Sequence, residues 1–169
     1  MLRKIVTLIF TILVHFAVAK GTVFAASLLG GPAPLWPALG VGVSALLLMG
    51  DWLAPAVFVG ALMLSFSLGV SLVPALVIAT GSTLETVVCV ALVRRLPNRH
   101  ALGHEGLDQF LGFALSAVLS ALIGATFGTF AQMRLSHAST ASWSSNWTVW
   151  WARDVLGVLL VTPLVLSVV

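Results

Sequence analysis

Charged side chains occupy only 8% of the 169 positions, where a soluble domain devotes about 25% to them. That scarcity, with 60% hydrophobic residues and a mean hydropathy of +1.13, excludes water as the solvent for most of the surface. Cysteine is almost missing as well. Cys89 stands alone, so no intrachain disulfide exists and the redox compartment stays unread. The eight Lys and Arg are scattered singly or in pairs, and despite a net charge of +3 no basic stripe follows a phosphate backbone, which argues against nucleic acid as a partner. Catalytic patterns are absent too: there is no glycine-rich phosphate loop, no H-E-x-x-H and no Cys, His and Asp set at a working spacing. No catalytic residue, cofactor or metal is therefore expected. His100 and His104 are four apart but sit in a Pro- and Gly-containing stretch without a third ligand, and read as a solvated loop.

What the chain has is long apolar runs. A spanning helix needs about 20 such residues, so the expectation is an all-α polytopic membrane bundle of about six helices, residues 1–169 forming one domain. The spans fall at about 5–28, 37–49, 53–68, 72–93, 107–130 and from Trp147 onward. GGPAPLWP cannot continue a helix, and Gly50-Asp51-Trp52 makes a tight corner. The second and third spans are short, so they are expected to be tilted or paired. A secretion-signal reading of Arg3, Lys4 and Val23-Phe24-Ala25 is set aside, because Lys20 interrupts the apolar run and similar spans follow. Arg3 and Lys4 fall on the same side as the cluster from Arg94 to Arg99, which predicts a cytoplasmic amino terminus. The last run is still apolar at Val169, so the expectation is a chain cut short, or disordered beyond that point.

Each ionisable group inside a bilayer costs about 2.5–3.5 kcal/mol and calls for a partner or a polar cavity. Helical rise sorts the candidates into two depths. Lys20 and Asp154 lie about 10 Å below the outer boundary and are expected to pair; His15 and Glu85 lie about 18–20 Å down, near the midplane, and are expected to form a second pair. Lys20 and Arg153 have stems long enough to snorkel outward. Trp36, Trp143, Trp147, Trp150 and Trp151 all fall near the outer boundary, where an aromatic belt belongs. The alternative is that Trp36, Trp150 or Trp151 turn inward and wall a ligand pocket with Lys20, Arg153 and Asp154.

Three stretches together resemble one family. LWPALGVGVSALLLMGDWLAPAVFVGALM carries its W-P-x-x-G element and a following G-x-x-x-x-P-x-x-x-x-G element. GSTLETVVCVALVRRL resembles its T-L-E block, and WWARDVLGVLLVTPLVL its W-W-x-x-D-x-x-G-x-x-x-x-x-P block. The similarity runs from Val14 to Leu166 and is to the type 1 membrane-associated sensor family. Matching positions are Trp36, Pro37, Gly40, Gly50, Pro55, Gly60, Thr83, Glu85, Trp151, Asp154, Gly157 and Pro163. Ser82 stands where Asn is common and Arg153 where Gly is common, which implies altered specificity or a charge already filling the outer pocket. The family is commonly longer, with further spans and a histidine kinase or cyclic-dinucleotide output domain.

The resemblance implies a sensory input domain without catalysis of its own, in the lipid bilayer of a bacterial inner membrane, with the further spans and output domain missing here, paired with a second copy or other membrane subunits and with an unnamed small-molecule ligand. A six-span solute-binding subunit of a transporter and a scaffolding subunit of a membrane complex are the other readings. An output domain in the complete reading frame favours the first, an adjacent ATPase-coupling partner the second, and a co-purifying assembly the third.

Overall fold

The structure, a computed structural model, describes residues 1–31, 33–96, 107–136 and 143–168. His100 and His104 lie outside them. Six α-helices and one 3₁₀ turn make up the described residues: α1 (Leu2–Leu29), α2 (Pro37–Met49), α3 (Ala54–Ser67), α4 (Leu72–Val93), α5 (Leu107–Ser136) and α6 (Trp143–Ser167). No strand occurs among them. Four of these, α1, α4, α5 and α6, are long and apolar enough to cross a bilayer; α2 and α3, with 13 and 14 residues, are shorter.

Local chemistry sets the boundaries. Gly30, in the left-handed region at φ 71°, ends α1. Pro37 opens α2 at a position where its missing N–H costs nothing. Gly50 takes φ 106° at the corner between α2 and the 3₁₀ turn Asp51–Leu53, a conformation that a side chain disfavours. The boundaries of α2 and α4 match the sequence expectation, whereas α5 and α6 extend beyond theirs. The apolar signal fades before the helices do, and the polar segment expected between Gln132 and Asn146 is helical through Ser136 and again from Trp143.

Burial in α1 is inverted relative to a soluble bundle. In α1 the buried residues are Thr11, His15 and Ala19, one row at four-residue spacing, while Ile5, Val6, Ile9, Phe10 and Leu13 are exposed. Such small or polar interior rows with large apolar side chains outside suit a lipid solvent, in which helices approach through small residues. The longest row is on α5: Gly112, Ser116, Ser120, Gly124 and Gly128 recur every four residues, with Ala117, Ala121 and Ala125 in the next row. This helix is wedged between α4 and α6. The hydroxyls of Ser116 and Ser120 donate back to the carbonyls of Gly112 and Ala117, so polar atoms on these rows are satisfied within the helix.

The α2–α6 contact is as close. A Cβ added at Gly40 would collide with the carbonyl oxygen of Gly157, and one added at Gly157 would collide with that of Trp36. Thr162 Oγ1 donates across this crossing to the Gly40 carbonyl at 3.2 Å. At one end of the bundle Lys4 lies over the ring of Trp52, and Arg94 Nη1 donates to both carboxylate oxygens of Asp51 at 2.7 Å. Arg94 Nη2 donates to the Leu46 carbonyl at 2.8 Å and so also caps α2. These contacts gather the start of α1, the α2–α3 corner and the end of α4 on one face.

Candidate functional site

The opposite end of the bundle holds a polar cluster built from three helices and the lead-in to α2. On α6, Trp150, Arg153, Asp154 and Gly157 share a face by three- and four-residue spacing. The backbone N–H of Trp36 donates to the Arg153 carbonyl at 2.9 Å, which pins the start of α2 to α6. The Arg153 side chain then lies between two indoles, its Cζ 4.6 Å from the Trp36 ring centroid and 3.8 Å from that of Trp150. Trp150 itself rests on Gly128, where no Cβ would fit, and its Nε1 donates to Gln132 Oε1 at 3.1 Å.

Beneath the guanidinium lie two carboxylates. Asp154 Oδ1 is 3.7 Å from Arg153 Nε, an ion pair too long for a hydrogen bond. Glu85 of α4 is 1% exposed and reaches the same place from the other side. A Cβ added at Gly124 of α5 would collide with Glu85 Oε2 and sit 3.1 Å from Asp154 Oδ2, so both acids press on the bare backbone of one glycine. Buried polar atoms normally find hydrogen-bond partners. Five buried side-chain atoms among the described residues have none, and three of them, Glu85 Oε1, Arg153 Nε and Asp154 Oδ1, belong to this cluster. An ionic network left short of hydrogen bonds is weak evidence for stability.

The expected pairs are rearranged. Lys20 does not meet Asp154: its amine donates to the Ser67 carbonyl at 3.2 Å and to Ser67 Oγ at 3.0 Å, at the end of α3. The opposite charge beside Asp154 comes from its own neighbour, Arg153, which is folded inward and does not snorkel. His15 and Glu85 do not meet either. The imidazole packs on Gly60 of α3 and beside the Ala38 backbone, with Nδ1 unpartnered, whereas Glu85 joins Arg153 and Asp154. Depth along a helix axis ranks residues by layer but leaves the rotation of each helix open, and rotation selects the partner. Trp36 and Trp150 turn inward; Trp151 instead donates to the Val118 carbonyl at 3.1 Å and stacks on Trp147. Gly124 escaped the sequence reading, although the four-residue small row on α5 was its visible signal.

A family model described as MASE1 matches residues 6–169. Neither the curated proteins nor the solved structures contain a match to this chain. Since the family model covers essentially the whole length, the chain belongs to the MASE1 family, the membrane-associated sensor domain 1.

Proposed function

We propose that this chain is an integral membrane sensory input unit, catalytically inert, that binds a ligand or partner at the Trp36–Glu85–Trp150–Arg153–Asp154 cluster and signals to a cytoplasmic output domain. The observation that carries this reading is the convergence of three buried ionisable groups from α4 and α6 beside two inward-turned indoles, each with one atom that lacks a hydrogen-bond partner. A signal requires that the ligand favour one of two packings. The α2–α6 crossing at Gly40 and Gly157 is a suitable transmission point, because its atoms are in contact and a shift at Arg153 reaches it within one turn. Six crossings, an amino terminus inside and a bacterial inner membrane complete the proposal.

The test is the double variant Glu85→Gln and Asp154→Asn in the complete gene product, read by output activity in cells and by thermal unfolding in detergent. The variant is expected to keep the fold and lose the response. An unchanged response from a stable double variant sinks the sensing role and leaves a packing network.

A further inference from the structure

Arg153 is held as a ligand would be. Two indole faces at 3.8 and 4.6 Å flank its guanidinium, the arrangement by which aromatic cages hold cations. Asp154 and Glu85 form a floor of two carboxyl groups beneath it. Yet the occupant fits the floor poorly, since its Nε and one oxygen of each acid are buried without a hydrogen-bond partner. Arg94 shows how this chain makes a structural guanidinium contact: two hydrogen bonds to Asp51 and one to a helix carbonyl. A cage that attracts cations but leaves one oxygen of each acid without a donor favours a cation whose N–H groups reach them.

We infer that Trp36, Trp150, Asp154 and Glu85 form a binding site for an organic cation of the ammonium or guanidinium class, with Arg153 as its displaceable internal occupant. This rests on the reading of the cluster as the sensing site. Displacement frees the indoles of Trp36, which leads into α2, and of Trp150 on α6, and so alters the contact proposed to carry the signal. A site occupied internally for most of the time binds more weakly in proportion to the fraction that is open. The cation's source is either a soluble amine or guanidine, or the ammonium headgroup of a phospholipid.

The experiment is thermal unfolding of the full chain in a detergent without amino groups, titrated with methylguanidinium or ethylammonium against sodium chloride at equal ionic strength. Arg153→Ala is expected to show a saturable rise in midpoint with an organic cation and none with sodium. Half-saturation should come at a concentration at least about tenfold lower than in the wild type. Adding Asp154→Asn should remove the rise. Arg153→Gln, which retains part of the stem between the indoles, serves if the alanine variant does not fold. In nanodiscs, a rise produced by phosphatidylethanolamine over phosphatidylglycerol assigns the headgroup as occupant, and a rise with the free cation assigns a soluble one; either upholds the site. No saturable rise in a folded Arg153 variant, or one that survives Asp154→Asn, overturns the proposal. Failure of both variants to fold overturns it too, because Arg153 is then a structural pin. The readout is independent of signalling, so a saturable rise without any change in output removes only the sensing role.

Discussion

Three residues define the interior of the site by what they lack or carry. Gly124 has no side chain, and that lets Glu85 and Asp154 approach one point from different helices. Gly124→Ala is therefore expected to destabilise by about 1–3 kcal/mol through overpacking, read as a lower thermal midpoint in detergent, and to displace one of the acids. Gly21→Ala is the control. Its Cβ would meet nothing within 4 Å, so the change should be neutral or mildly stabilising, by up to about 1 kcal/mol from helix propensity. Equal losses at the two positions would contradict the packing described for Gly124. The presence of these acids within the spans was legible from the rarity of charge in apolar runs. Their partners were not, because a residue's azimuth depends on how each helix is turned.

Among the helices, α2 and α6 are bound by close approach and α4 is tied to the α2–α3 corner by charge, and the two devices differ in strength. Arg94 and Asp51 have side chains 31% and 60% exposed, so the surrounding medium screens much of their attraction. Arg94→Gln should cost under about 1 kcal/mol. Gly157→Ala forces a methyl group against backbone atoms of Trp36 that cannot rotate away, and should cost at least about 1–3 kcal/mol and separate α2 from α6. Thermal unfolding of both variants in one detergent checks the order; a larger loss for Arg94→Gln would reverse the roles assigned to the two contacts. The corner at Gly50 and the start at Pro37 were readable from glycine and proline alone. The ends of α5 and α6 were not, because a helix continues through polar residues wherever its hydrogen bonds and neighbours support it.

At the scale of the molecule, contacts at the two ends bear on topology. Lys4, Trp52, Asp51 and Arg94 meet at one end, while Trp36, Lys20, Ser67 and Trp150 mark positions far along their helices from it. Alternating helix directions follow if α2 and α3 also cross. In a Cys89→Ala background, a cysteine at Ser144 should label with an impermeant maleimide from outside in intact cells, and one at Arg95 only after the inner face is opened. The opposite pattern would invert the membrane orientation and place the candidate site on the cytoplasmic side.

Composition and the length of the apolar runs determined that this is an all-α protein with a lipid-facing surface, because 8% charge and 60% hydrophobic residues leave too little polar surface to face water, and runs of about 20 apolar residues suit spanning helices. Three ordered motifs determined the family, and the scarcity of ionisable residues picked out Glu85, Arg153 and Asp154 as positions of interest. Only the tertiary structure decided that Arg153, and not Lys20, lies beside Asp154, that Glu85 joins them while His15 goes to Gly60, and that Trp36 and Trp150 close over the guanidinium while Trp151 turns away. The physical reason is that hydropathy and helical rise fix depth, whereas rotation about each helix axis is set by small residues on neighbouring helices. Those glycine contacts exist only once the helices are packed.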